Sequence, residues 1–158
     1  MDVTMHRDAV VNNSPRDILE PVAYVSNLLA TVITRQKLAV STTAVSPMGE
    51  WHVKLENAEF IVCVWKDKGE HGPFFVEVGS RVRQGRRAHM RGPWSLGHLR
   101  GYLDGMKDHF IFRNLEEQSL WLEMHEEKIF DSSLLNSDEM NAWAVKASRR
   151  LFGRDPQT

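Results

Sequence analysis

The chain has 158 residues, 42% of them hydrophobic and 26% charged, with a net charge of −1 and one cysteine. That length suits one domain with a sizeable core, and the composition excludes the disordered and fibrous classes. Near-neutrality argues against generic nucleic-acid binding by the whole domain, and a lone cysteine excludes an intrachain disulfide framework or a cysteine-based zinc cluster.

Residues 1–13 read as a flexible tail with no apolar signal core. The most apolar segment, Val22 to Ile33, is interrupted by Ser26, Asn27 and Thr31 and falls short of the ~20 residues that span a bilayer. A soluble, cytoplasmic protein without membrane contact is the expectation. A single α+β domain is expected over residues 14–153, followed by a second tail at 154–158.

Ser14-Pro15-Arg16-Asp17 has the chemistry of a helix start: a side-chain acceptor, a proline in the first turn and an acid at the positive end. Pro21 complicates it, so either a short turn precedes Pro21 or the main helix begins there. Val22, Val25, Leu29 and Ile33 then recur on one helical face, and the helix should reach about Gln36.

Residues 38–45 are rich in β-branched types, and Trp51, Val53 and Leu55 alternate with His52, Lys54 and Glu56. Asn57-Ala58 leads tightly into Glu59–Trp65, whose unbroken apolar run predicts a central strand covered on both faces. A turn from Lys66 to Gly72 returns the chain along Phe74–Val78. Connections this short require antiparallel pairing, so a four-stranded meander is expected.

Three helical segments should follow and pack on the sheet. Ser95 can cap a short helix with Leu96, Leu99 and Leu103 on one face. Asn114 with Glu117 fits a capping pair opening a helix to about Ile129, in which Leu115, Leu122 and Ile129 share a side while Trp121 and Met124 lie elsewhere. Ser137-Asp-Glu opens the last helix, with Met140, Trp143, Ala144, Ala147 and Leu151 as its stripe, basic residues near its end and Gly153 as its stop.

No residue pattern calls for a catalytic centre, a cofactor or a metal. The seven histidines fall in different elements without ligand spacing, and Glu123-Met-His125-Glu-Glu127 reads as a solvated acidic helix. Gly97, Gly101 and Gly105 form a row suited to close helix packing rather than a phosphate loop. Cys63, inside an apolar run, reads as a small buried hydrophobe whose thiol burial would deactivate. No G-x-S-x-G elbow occurs, so a non-enzyme is expected.

Charge placement is more informative. Residues 81–100 carry six arginines and no acid; residues 116–139 hold eight acids against Lys128 alone. Surface ion pairs contribute only ~0–1 kcal/mol each, whereas complementary charge speeds and orients association. Two patches are therefore candidates for partner contact: Arg81, Arg83, Arg86, Arg87 and Arg91, and Glu116, Glu117, Glu123, Glu126 and Glu127. Nucleic acid is disfavoured as the partner of the arginines, because the nearest aromatic, Trp94, belongs to a helix start that should anchor in the core.

The strand Trp51-His-Val-Lys-Leu-Glu56, the run Phe60–Trp65, the charged turn with Gly69-Glu70, the return strand and the helix start Trp94-Ser-Leu-Gly-His-Leu99 together resemble small immunity proteins encoded beside bacterial polymorphic and contact-dependent toxins. The resemblance covers roughly residues 50–152, and the arginine-rich insertion at 81–91 departs from it. It implies stoichiometric neutralisation of a cognate toxin domain, with no catalytic residues, by a monomer or homodimer. A dimeric secretion or effector chaperone is the alternative, and a nucleic-acid module using the Arg81–Arg91 loop a lesser one.

Overall fold

The computed structural model describes residues 15–68, 73–82 and 93–152, with side chains described over 20–68, 73–82 and 93–149. The expected tails at 1–13 and 154–158, the tip of the turn at Gly69–Gly72, the Gly153 stop and the Leu151 side chain lie outside the described residues.

The fold is α+β. Two helices, α1 (Pro15–Leu28) and α2 (Ala30–Gln36), precede the strands β1 (Ala39–Val45), β2 (Trp51–Glu56), β3 (Phe60–Lys66) and β4 (Phe74–Ser80). A two-residue strand β5 (Trp94–Ser95) leads directly into α3 (Leu96–Leu103). The remaining helices are α4 (Leu115–Met124), α5 (Glu126–Ile129), α6 (Ser132–Leu135) and α7 (Asp138–Phe152). The sheet is antiparallel throughout, in the order β1-β2-β3-β4-β5, so the expected meander stands and gains one short strand.

Pro21 lies inside α1, and the chain is helical on both sides of it. Of the expected apolar face, Val25 and Leu29 are fully buried, and Val22 and Ile33 pack against the core from its margin. Lys37 ends α2 in the left-handed conformation (φ 55°), which turns the chain into β1.

Burial alternates along the strands. Val53, Leu55, Phe60, Val62, Val64, Val76 and Val78 are buried on one face, beneath residues such as Leu29, Leu96, Leu99, Leu122 and Met140. On the other face Ile61, Cys63 and Trp65 are half-buried. The apolar run of β3 therefore marks a central strand, as expected, but not one sealed on both sides. Its second face is partly closed by Trp65, which stacks on Phe75 with ring centroids 4.2 Å apart.

The capping expectations describe the helices well. Ser95 Oγ accepts from the His98 N–H at 3.1 Å, Asn114 Oδ1 from Glu117 at 2.8 Å, and Ser137 Oγ from Met140 at 3.1 Å. Trp94 is buried and its Nε1 donates to the Leu135 carbonyl at 3.1 Å, pinning the start of α3 to the end of α6. Leu103 departs from its expected place in the core: it is 37% exposed, at the last residue of α3.

The glycine row also differs from expectation. Its close neighbours are the non-helical 108–110 stretch and, at Gly101, also Trp143 of α7. Phe110 N–H donates to the Gly97 carbonyl at 2.9 Å, and Met106 N–H to that of Gly101 at 2.9 Å. A Cβ at Gly97 would sit 2.5 Å from the Phe110 oxygen, and one at Gly101 2.5 Å from the Asp108 oxygen. Gly105 lies beyond the helix with φ +68°, where it makes the turn. Among the described residues no helix is long and apolar enough to cross a membrane.

Candidate docking surface

The acidic patch is built on α4. Asn114 caps the helix, and the Glu117 carboxylate reaches back to the Arg113 N–H at 3.3 Å and Arg113 Nε at 2.7 Å. Those bonds hold the Glu117 carboxyl below its usual range and commit it to the helix start. Leu115, Gln118, Ser119, Trp121 and Leu122 turn inward. Glu116, Leu120 and Met124, four residues apart, form an outward row.

Leu120 is 58% exposed and Met124 70% exposed. Glu116 and half-buried Glu123 accompany them on α4, and Glu127 follows at the start of α5. Tyr24 of α1 donates its hydroxyl to Glu116 Oε1 at 3.1 Å, fixing that carboxylate at the patch edge. Burial first, then the Glu116 contact, raises the tyrosine's pKa.

α4 ends at His125, whose ring stacks on Trp121 at 4.6 Å while Nδ1 donates to the Trp121 carbonyl at 2.8 Å. The break turns Glu126 inward. It is only 8% exposed, accepts from Gln36 Nε2 at 2.9 Å, and has Arg35 Nη1 at 3.8 Å. The run from 123 to 127 is thus not one solvated helix: Glu126 is a buried tie between α5 and α2. With Arg35, residues 123–128 line a concavity of about 550 Å³.

Of the arginine patch, only Arg81 lies among the described residues; Arg83, Arg86, Arg87 and Arg91 lie outside them. Arg81 is engaged at the β2–β3 turn, where Nη1 donates to the Asn57 carbonyl at 2.7 Å and stands 3.4 Å from Glu56 Oε1. Arg100 has a different role. Its guanidinium lies 3.6 Å over the Phe110 ring, with Phe112 at 5.4 Å and Trp121 at 5.9 Å, and its Nε is 3.5 Å from Asp104. Such a cage favours a planar cation with a weakly held hydration shell. Only the non-local fold assembles it.

Two other clusters carry titratable groups. On the second sheet face, Ala44, His52, Cys63, Trp65 and Glu77 help to line a concavity of about 420 Å³. Burial pushes the Cys63 thiol up to about 11 and raises the Glu77 carboxyl, against the lowering effect of the Trp65 N–H it accepts at 3.2 Å. A thiol so placed stays protonated near neutrality, which gives it no nucleophilic strength. His52 is held low, by burial and then by Lys54.

The second cluster is the stacked pair His98–His109, with centroids 5.3 Å apart and Trp143 edge-on to His98 at 6.1 Å. Ser95 Oγ lies 2.7 Å from His98 Nδ1. Among the described residues no group of three or more His, Cys, Asp or Glu side chains could hold a metal ion. Comparison with protein-family models, with curated proteins and with solved structures finds no match to the chain.

Proposed function

We propose that the chain is a binding protein that neutralises a basic toxin domain by docking it on the outward face of α4 and α5. The observation that carries this reading is the pairing of exposed Leu120 and Met124 with Glu116 and Glu123 on α4, continued by Glu127 at the start of α5. Apolar anchors within a polar rim are the anatomy of a protein interface, and the acidic rim matches a basic partner. Helix α4 is well seated for this. Trp121 and Leu122 lock its inner face, and Ser119 Oγ donates to the Leu28 carbonyl at 2.8 Å.

Glu116, Glu123 and Glu127 are the contact acids in this reading, while Glu117 and Glu126 hold the helices that present them. A tight complex would cover about 1,200–2,000 Å² in total, more than the helix row alone, so Tyr24 and the rim of the neighbouring concavity would share it. The mechanism is occlusion, which demands no catalytic group of this chain.

The test is co-expression with the toxin domain encoded beside this gene. The expected outcome is rescued growth, lost in Leu120→Arg and Met124→Arg while circular dichroism stays unchanged, because both side chains are exposed. Absence of rescue by the natural chain, or full rescue by both variants, sinks the reading.

A further inference from the structure

We propose that the free edge of the sheet, β1, pairs antiparallel with β1 of a second copy of this chain, joining two sheets across a twofold axis. The two edges of the sheet are treated differently. On the β4 side, β5 covers Glu77 and Val78. Just beyond it the Gln118 side chain accepts from the Val76 N–H at 3.1 Å and donates to the Phe74 carbonyl at 3.0 Å. That edge is closed by a strand and by an amide standing in for one.

Among the described residues the opposite edge has neither device. β1 pairs with β2 from Ala39↔Glu56 to Val45↔Trp51, and among the described residues no backbone hydrogen bond joins Ala39–Ala44 to any other element. Its residues from 39 to 42 and Ala44 are exposed. An edge strand of this kind presents a row of unpaired N–H and C=O groups to any strand that fits.

Composition selects the occupant. Ala39-Val-Ser-Thr-Thr-Ala-Val45 contains no charge and no proline, the features that usually protect an edge. Across a twofold axis a strand meets itself, so a charge at the axis would stand opposite its like and one a single residue away would stand diagonal to it; Thr42, Thr43 and Ala44 carry none. A register centred on Thr43 sets Thr43 against its own copy and Thr42 against Ala44, and cross-strand threonine pairs are favourable. The flanking charges on β2 are partly compensated: Glu56 stands between Lys54, at 3.7 Å, and Arg81, at 3.4 Å. The strand itself carries no charge to attract a charged partner, and a neutral copy meets no like charge on it.

One feature limits the strength. The β1–β2 register shifts between Val40 and Thr42, where Ser41 Oγ donates to the Lys54 carbonyl at 3.4 Å. The bulge bends the strand and leaves a short regular stretch, so the dimer is dissociable, with Kd on the order of 10 μM.

Sedimentation equilibrium over about two orders of magnitude of concentration around that value tests it. The natural chain should pass from the mass of one chain to that of two, and amide exchange at Thr42–Ala44 should slow in step. Thr42→Glu faces Lys54 within its own chain, which preserves the hairpin, but puts two carboxylates at diagonal positions about 7–8 Å apart on one face across the axis. Ala44→Lys does the same with ammonium groups. Both variants should stay at the mass of one chain with unchanged circular dichroism. A natural chain of single mass at every concentration, or a dimer retained by either variant, overturns the proposal. Neither outcome bears on docking by α4, which is tested separately.

Discussion

Gln118 and Val76 are joined across 42 residues of sequence by a bond that substitutes a side-chain amide for a strand: the Val76 N–H donates to Gln118 Oε1 at 3.1 Å. The same amide donates to the Phe74 carbonyl at 3.0 Å, so one buried residue satisfies two successive ladder positions of β4. It also couples α4, the proposed docking helix, to the sheet.

Gln118→Leu should therefore cost about 2–3 kcal/mol, because it leaves a buried donor and a half-buried acceptor without their partners. Urea unfolding measures the loss, and amide exchange at Val76 should accelerate more than at Val78, which β5 still covers. A loss under about 0.5 kcal/mol, the scale of an ordinary surface change, would show that the bonds matter little.

The glycines of α3 yield a contrast between space and backbone. At Gly101 a Cβ would lie 2.5 Å from the Asp108 oxygen and 2.8 Å from Trp143 Cη2, so Gly101→Ala must push two elements apart. A cost of about 3 kcal/mol is expected, at the upper end of overpacking. At Gly105 nothing lies within 4 Å, and the cost of Gly105→Ala is the left-handed backbone alone, about 1–2 kcal/mol. Thermal unfolding of the two variants should rank them in that order. The reverse ranking would mean that the 108–110 segment yields easily.

What was legible in the sequence was local. The alternation of 51–56 and the caps at Ser95, Asn114 and Ser137 depend on residues a few positions apart, and the structure follows them. Relationships across the fold were hidden. Nothing near Gly97 and Gly101 says that the non-helical 108–110 segment packs against them, together with Trp143 of α7 at Gly101. No proline or glycine marks the break at His125, and the partners that draw Glu126 inward, Arg35 and Gln36, lie about 90 residues away. Leu103 fits the periodicity of its helix but stands where the helix stops, so the core no longer reaches it. In the docking patch, the cluster of acids was readable; which acids are free and which are tied was not.

Cys63 offers a chemical check on the second sheet face. With its thiol pushed up to about 11, by burial first and by Glu77 second, its thiolate fraction at pH 8 is about one in a thousand. Iodoacetamide should label the folded chain at least about tenfold more slowly than the urea-unfolded chain at the same pH. Equal rates would show that the concavity beside Trp65 and Glu77 does not shield the sulfur.

His98, stacked on His109, ties acid sensitivity to the joint between α3, the 108–110 segment and α7. Burial and then the neighbouring His109 hold the His98 imidazole down to about 4, from an ordinary 6.5. Between those values the unfolded chain takes up a proton that the folded chain does not, so stability falls as the pH drops through the window. The contribution is complete above about pH 6.5 and declines no further below about 4, with a ceiling of about 1.4 kcal/mol per pH unit for one proton. Ser95, His109 and Trp143 face the ring, and none of these is an acid that could stabilise an imidazolium. NMR titration should find His98 neutral at pH 5.5, and His98→Gln should flatten the stability profile between pH 6.5 and 4 relative to the natural chain. An His98 that titrates near 6.5, or a variant with the same slope, would assign acid sensitivity to other groups.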